Sequence, residues 1–192
     1  IAQAFINTKK LDSSLFYLKK SVFKQKDLLL NTRRKFLLAQ LYQELSIQDT
    51  AYSIYSEIID LHRKIPRDFY INSYIKRTMV SDSIDNSIAE LQLLTENFEN
   101  NNYLDIIFHQ IAMLNLKKGE LLNDDKSGFT ITDSTAINFF NKSLRSDSEE
   151  EFLIAKNYNE LAELNFRKKN YLEAGQYYDS TLTQLSNKSR GF

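Results

Sequence analysis

The sequence lacks the residues that several common folds require. It has no cysteine, no tryptophan, 4 glycines and 1 proline among 192 residues. The absence of cysteine excludes disulfides, thiolate nucleophiles and cysteine-ligated zinc. All-β sandwiches and barrels need turn residues about every 8–12 positions, so the shortage of glycine and proline argues against them. The glycines are isolated from one another, which excludes the glycine-rich loops that bind nucleotide phosphates.

A surplus of charge and long apolar runs are also missing. The chain balances 25 Lys+Arg against 25 Asp+Glu, so it has no basic excess of the kind that marks nucleic-acid binding. No apolar run approaches the roughly 18 residues that a membrane span needs, and no signal peptide is recognisable. With 42% apolar and 26% charged residues, the composition is that of a folded protein. Because the first residue is Ile1, we expect an excised part of a longer protein.

The sequence does contain an internal repeat. A small residue that follows a large apolar one recurs along the chain, and we call its position the first slot. The first slots are Ala2, Ala39, Ala112 and Ala162, with Ile75 at the corresponding place in the third unit. A second slot follows, 12 residues later in most units. The second slots are Ser14, Ala51, Ser87, Ala136 and Ala174, and the large residues four positions after them are Leu18, Tyr55, Leu91, Phe140 and Tyr178.

This spacing predicts pairs of antiparallel helices. Small residues on facing helices let the backbones approach, and large residues one turn away fill the space beside them. A single pair cannot bury its apolar face, so neighbouring pairs stack into a continuous core. The sequence therefore predicts an all-α fold, an α-solenoid that forms a single domain over residues 1–186. Its five units are predicted at 1–28, 29–62, 66–99, 102–146 and 151–186, before a tail at 187–192.

The fourth unit departs from the common spacing. Its two slots, Ala112 and Ala136, are 24 residues apart, and the stretch between them loses the helical pattern. We therefore predict an inserted loop at 119–132. Asp133 directly after it is a candidate N-cap for the next helix, because aspartate is favoured at that position.

The repeat resembles the tetratricopeptide repeat (TPR). The residues of the fifth unit that match the spaced consensus of that family are Leu161, Ala162, Tyr171, Ala174, Tyr178 and Leu182. The second and fourth units carry the same pattern, and the resemblance covers nearly the whole chain. It implies a right-handed superhelix of antiparallel helix pairs that binds other proteins.

Three segments together resemble the repeat region of the SprE/PorW family of periplasmic lipoproteins, which serve type IX secretion and gliding motility in Bacteroidetes. The segments are residues 34–42, 136–144 and 161–166, and the last continues to the Tyr-Tyr-Asp-Ser-Thr ending at 177–181. This resemblance implies a non-enzymatic scaffold in the periplasm that contacts other secretion and gliding components of the envelope. It also implies a lipid anchor on an N-terminal cysteine of the full-length protein, so the present chain would be an internal module.

A second hypothesis places the same repeats in a bacterial signalling protein, as the TPR sensor domain of a histidine kinase or a transcription regulator. The full-length chain distinguishes the two hypotheses. A transmembrane helix followed by a kinase or DNA-binding segment would favour the sensor, whereas a lipoprotein signal would favour the scaffold.

No side chains form a recognisable catalytic or metal-binding motif. The two histidines, His62 and His109, have no metal-binding spacing around them. The segment 123–128 offers oxygen ligands and a glycine, but a calcium loop would need glutamate where Ser134 stands. We therefore predict no enzymatic activity, no cofactor and no metal site.

The surface predicted to bind partners is the inner face of the stacked first helices, where solenoid repeats hold their ligands. Side chains two, five or nine places into those helices project there, and we call them the inner-face set. They are Arg33, Phe36, Gln40, Phe69, Asn72, Lys76, His109, Met113, Lys156, Asn159 and Glu163. This mixture of apolar, amide and charged groups suits an extended peptide or a partner helix.

Overall fold

The computed structural model describes residues 11–24, 26–122 and 130–189. These residues form nine α-helices and no strand, which confirms the predicted all-α class. The helices are α1 (Leu11–Lys24), α2 (Leu28–Glu44), α3 (Gln48–Ile59), α4 (Arg67–Met79), α5 (Ile84–Thr95), α6 (Leu104–Leu122), α7 (Ile131–Leu144), α8 (Glu151–Arg167) and α9 (Tyr171–Ser189). Short 3₁₀ segments at His62–Lys64 and Phe98–Tyr103 precede α4 and α6.

The described residues divide into two compact units, 1–83 and 84–192. From here on, the first unit and the second unit mean these two compact units and not the first two sequence repeats. In the first unit, each of the helices α2, α3 and α4 packs on its predecessor. In the second unit, each of the helices α6 to α9 packs on its predecessor. The single domain over 1–186 and the right-handed superhelix remain predictions.

Burial confirms the slot pattern for the described slots, while the predicted slot Ala2 lies outside the described residues. The described slots are all buried, namely Ser14, Ala39, Ala51, Ile75, Ser87, Ala112, Ala136, Ala162 and Ala174. The large residues four positions after the second slots are buried as well, except that Tyr178 in α9 is only half-buried. Ring contacts show that α8 and α9 are antiparallel, because Tyr158 in the middle of α8 meets Tyr177, whereas Phe166 at the end of α8 meets Tyr171 at the start of α9.

The predicted insertion lies between α6 and α7. Helix α6 continues to Leu122 and α7 begins at Ile131, so both ends of the 119–132 stretch are helical, while its residues 123–129 lie outside the described residues. Gly119 is buried in α6, and a Cβ there would lie 2.3 Å from the Oγ1 of Thr132. Glycine therefore allows α6 to approach the start of α7 closely.

The start of α7 corrects the expected N-cap. Thr130 holds that position, and Asp133 lies inside the helix as its third residue. The Thr130 Oγ1 accepts a hydrogen bond from the Asp133 N–H, and the Asp133 Oδ2 accepts one from the Thr130 N–H at 2.7 Å, which is a capping box. The buried Asp133 carboxylate also pairs with Arg167 of α8 at 3.0 Å. The Asp133 carboxylate thus caps the first turn of α7 and also links α7 to α8 through its ion pair with Arg167.

The shortage of glycine has a consequence at the ends of the helices. Ser46, His62, Asp147 and Lys169 have φ values of 59°, 48°, 48° and 64°, in the left-handed region that glycine usually occupies. After α8, the Lys169 N–H bonds the Phe166 carbonyl and the Asn170 N–H bonds the Asn165 carbonyl. This is a Schellman motif with lysine in the position that favours glycine.

Replacing Lys169 by glycine is expected to raise the free energy of unfolding by about 0.5–1 kcal/mol, because glycine removes the contact of Cβ with the backbone at φ 64°. Urea denaturation followed by circular dichroism measures the change. Lys168 is the matched control, because its φ of −71° gives glycine no advantage and Lys168→Gly should destabilise. A Lys169→Gly variant no more stable than the parent would contradict this account of the helix end.

Candidate functional site

In the first unit, the inner-face set lies on α2 and α4, which contact each other. The Phe36 ring of α2 meets the Phe69 ring of α4 edge-to-face, with centroids 5.9 Å apart. Phe36 also contacts the buried Tyr55 of α3 at 5.7 Å. The structure therefore brings Phe36 and Phe69 together as a half-buried apolar pair that joins two consecutive first helices.

The polar members of the inner-face set in the first unit lie within two helical turns of this pair, along α2 and α4. Arg33 is exposed, and Gln40, Asn72 and Lys76 are half-buried. The Asn72 Nδ2 donates a hydrogen bond to the Asp68 carbonyl one turn earlier, at 2.9 Å. These side chains give the two helices an apolar centre with amide and cationic groups of the type that peptide ligands bind.

In the second unit, His109 is the first member of a hydrogen-bond chain that connects three helices. Its Nδ1 lies 2.7 Å from the Oδ1 of Asn157 on α8. The Asn157 Nδ2 donates to the Oγ of Ser143 on α7 at 2.8 Å, and that hydroxyl donates to the Asp105 carbonyl of α6 at 2.7 Å. Because Asn157 presents its oxygen to the ring, Nδ1 must carry the proton, and Nε2 of the neutral ring is a hydrogen-bond acceptor.

The environment of His109 favours its neutral form. Burial lowers the pKa of the imidazole, and the positive charge of Lys156 lowers it further, while the hydrogen bond to Asn157 and the charge of Asp105 act in the opposite direction. The ring also packs against Phe140, with centroids 5.7 Å apart. A half-buried neutral histidine between α6, α7 and α8 therefore fixes this part of the surface in one arrangement.

Acidification is expected to destabilise the chain through His109. An unfolded histidine binds a proton below a pH of about 6.5, and the folded state resists that proton, so stability falls as the pH decreases through this value. Denaturant unfolding at pH 7.5 and 5.5 measures the loss. His109→Gln keeps a donor for Asn157 and cannot titrate, so it should lose less stability over the same interval. Equal losses of stability in the parent and in His109→Gln would show that His109 is not the cause of the pH dependence.

The other members in the second unit lie on α6 and α8. Met113 and Asn159 are half-buried, and Lys156 is exposed, with its Nζ 4.5 Å from the centroid of the Phe152 ring. Glu163 accepts a hydrogen bond from the Tyr178 hydroxyl of α9 at 2.7 Å. Its carboxylate is thus engaged by the second helix of its own pair.

Glu160 of α8, outside the inner-face set, is an acidic residue with a shifted pKa. Burial raises the pKa of the Glu160 carboxyl, and the neighbouring negative charge of Glu163 raises it further. Glu160 lies one helical turn beyond Lys156 on α8, so this helix carries a cationic side chain followed by an acidic pair. The repeat spacing did not identify Glu160, because the pattern marks only positions two, five and nine of each first helix.

Within the described ranges, no three side chains of the His, Asp or Glu type are grouped so that they could hold a metal ion. A polar cleft of about 540 Å³ is lined by Asp105, Asp147 and Glu149 together with asparagine and serine side chains. None of the helices in the described part of the chain combines the length and apolar character that a membrane span requires.

Solved structures share the fold. A crystal structure of MamA matches with a TM-score of 0.61 and 16% identity, over 99% of this chain and 97% of that protein. MamA from residue 41 to its end, from Desulfovibrio magneticus RS-1, matches with a TM-score of 0.60 and 13% identity, over 100% and 94%. A putative kinesin light chain from Podosopora anserina with nearly identical TPR-like repeats matches with 0.61 and 11%, over 99% and 94%.

These structures establish a TPR-like helical repeat fold. No protein-family model matches the sequence, and no curated protein is similar to it in sequence. Since the identities are at most 16%, the likeness concerns the backbone architecture.

Proposed function

We propose that this chain is a non-enzymatic scaffold whose inner-face set binds another protein, either as an extended peptide or as a helix. The observation that carries the proposal is the make-up of the first helices. In the first unit, Phe36 and Phe69 form an apolar centre beside the exposed Arg33. In the second unit, His109 and the exposed Lys156 offer polar groups at fixed positions. Rigid aromatic anchors with polar groups beside them are typical of protein-binding surfaces.

Within this function, we propose a place in the cell envelope, in the periplasm of a Bacteroidetes cell, as a TPR module of a lipoprotein needed for type IX secretion and gliding motility. The support is the sequence resemblance of residues 34–42, 136–144 and 161–181 to the SprE/PorW family. The partners would then be envelope proteins of the same machinery. A gene deletion is expected to abolish secretion and gliding, and normal secretion after deletion would contradict this assignment.

Site-specific photo-crosslinking in cells tests the binding surface. A photoreactive residue at Arg33 or Lys156 is expected to capture a protein partner, because both side chains are exposed on first helices. Ser53 on α3 and Asn138 on α7 are matched controls, because they are exposed on second helices. Equal capture at all four positions, or capture at the controls alone, would contradict the proposed surface.

The identity of the captured protein tests the finer assignment separately. Capture of envelope proteins of the secretion machinery would support the periplasmic scaffold. Capture of cytoplasmic proteins alone would contradict that location while leaving the binding surface intact. A full-length gene that encodes a kinase or DNA-binding segment after a transmembrane helix would instead favour the sensor hypothesis.

A further inference from the structure

Two cations of the inner-face set in the first unit have no partner among the described residues. Arg33 of α2 is exposed and Lys76 of α4 is half-buried, and neither forms a hydrogen bond or an ion pair with another residue that the structure describes. The other cations of α2 and α4 each contact a side chain or a carbonyl, namely Arg34 with the Ser21 carbonyl, Lys35 with Glu57, Arg67 with the Tyr70 ring and Arg77 with Ser56. Unmatched positive charge therefore remains at the inner-face positions.

The two helices have too few acidic residues to balance this charge. Together α2 and α4 carry six cations and two acids, which are Glu44 at the end of α2 and Asp68 in the first turn of α4. The inner-face set contains no acid in this unit. Because charges across an interface are arranged to complement each other, this surface favours a partner with negative charge.

Helices α2 and α4 run in the same direction. The Phe36 ring of α2 meets the Phe69 ring of α4. Further along both helices, the Gln43 Nε2 donates a hydrogen bond to the Met79 Sδ at 3.9 Å. Since both contacts advance from the start to the end of each helix, positions on one helix can be compared with levels on the other.

The two unpartnered cations lie on opposite sides of the aromatic pair along the helix axes. Arg33 is three residues before Phe36, and Lys76 is seven residues after Phe69. At a rise of 1.5 Å per residue, these offsets separate the two cations by about 15 Å along the axes. We call Arg33, Phe36, Phe69 and Lys76 the α2–α4 patch, which has an apolar centre and a positive charge on either side of it.

The geometry of the α2–α4 patch defines the ligand that fits it. An extended segment advances about 3.3 Å per residue, so it covers this distance in roughly five residues. The same rise puts its apolar residue about two residues from the acid at Arg33 and about three from the acid at Lys76. We propose, on the basis of the proposed scaffold function, that the α2–α4 patch binds an extended segment of another protein in which two side-chain carboxylates flank an apolar residue at this spacing.

The chain itself has few carboxylates that could take this place. No described acid pairs with Arg33 or Lys76. The acids whose side chains lie outside the described part of the chain are Asp12, Asp124 and Asp125. Replacing these three by asparagine therefore tests whether the chain occupies its own patch.

The probe is the peptide GDSLSSEG, fluorescently labelled at its N terminus and amidated at its C terminus, so that only side-chain carboxylates are present. Fluorescence anisotropy with the intact chain is expected to show saturable binding of this peptide or of its reversed sequence, since an extended segment can run in either direction. Replacing the central leucine of the peptide by serine should weaken binding about tenfold, because the apolar contact is lost.

Arg33→Gln and Lys76→Gln should each weaken binding by roughly two- to fivefold, the effect of an exposed ion pair. Lys35→Gln is the matched control, because it removes the same charge from α2 but Lys35 already pairs with Glu57 at 2.6 Å. A peptide with asparagine in place of its aspartate should no longer distinguish the parent from Arg33→Gln. Circular dichroism checks that each variant keeps the helical content of the parent.

Absence of binding by both peptides, or an equal loss in Lys35→Gln and Arg33→Gln, would overturn the proposal. Tighter binding of a single-stranded RNA oligonucleotide than of the peptide would overturn it as well. A rise in peptide affinity when Asp12, Asp124 and Asp125 are replaced by asparagine would show that the chain covers its own patch, which also contradicts the proposal.

Failure of this proposal is distinguishable from failure of the proposed function. If photo-crosslinking at Arg33 captures a protein but neither peptide binds, the scaffold function stands and only the acidic ligand is wrong. If neither Arg33 nor Lys156 captures a protein, the scaffold function itself is contradicted.

Discussion

Phe140→Ala is expected to lower the free energy of unfolding by about 3–5 kcal/mol, the usual cost of removing a fully buried aromatic ring. The Phe140 side chain is 0% exposed, sits four residues after the second slot of its unit and contacts the ring of His109. Its loss leaves a cavity between α6 and α7 that the surrounding structure fills only in part. Urea denaturation monitored by circular dichroism measures the effect on the second unit.

Phe98→Ala provides the control, because the same side chain at position 98 is 79% exposed and its removal should change stability by less than about 0.5 kcal/mol. If Phe140→Ala were as mild as Phe98→Ala, the slot register of the fourth unit would be wrong. The comparison therefore tests the repeat assignment at the unit where the spacing between slots is irregular.

Asn157→Leu is expected to cost about 1–3 kcal/mol, because it leaves polar groups of two neighbouring residues without their partner. Leucine keeps the branching and the number of side-chain heavy atoms of asparagine, so the change mainly removes hydrogen bonds, and its larger methyl groups add some overpacking at this buried position. The Nδ1–H of His109 loses its acceptor and the Ser143 Oγ loses its donor. Thermal unfolding and the chemical shifts of the His109 ring measure the two consequences independently.

Asn159→Leu is the matched control on the same helix. Asn159 is half-buried on α8, and its replacement should change stability by less than about 0.5 kcal/mol. A cost for Asn157→Leu no larger than that of the control would show that the hydrogen-bond chain contributes little. If Asn157→Leu lowered stability as expected but left the chemical shifts of the His109 ring unchanged, His109 would not belong to the hydrogen-bond chain.

The two expected effects differ in how far the sequence could foresee them. Phe140 follows from spacing, because a large residue four positions after a small one at a helix contact is a core residue in any stacked helical pair. The role of Asn157 does not follow from spacing, since its partners His109 and Ser143 are 48 and 14 residues away. Such a contact exists only after three helices have packed. His109 was placed on the inner face by its register, but its hydrogen bond and its lowered pKa came from the packing.

The same division holds for the ends of the helices. The sequence shows that glycine is scarce, and from this it follows that other residues must form the turns. Which residues adopt positive φ is decided by where each helix stops. Lys169 and Ser46 do so because Schellman hydrogen bonds close α8 and α2 around them. The sequence predicts Asp133 as an N-cap. In the structure Asp133 is instead the third residue of α7, the partner of Thr130 in a capping box and of Arg167 in an ion pair.

The sequence by itself determined the class of the fold and the residues of its core. Slot spacing is a local property that depends on the helical period, so burial of the slots could be foreseen residue by residue. Only the tertiary structure decided which core positions stay uncovered. Tyr178 and Leu182 carry the same pattern as Tyr55 and Ile59, yet Tyr178 is only half-buried and Leu182 is 65% exposed, because the following helix α4 packs on α3 whereas no described helix follows α9. Burial of an apolar stripe requires a second surface, and a repeat pattern specifies the stripe without supplying the surface.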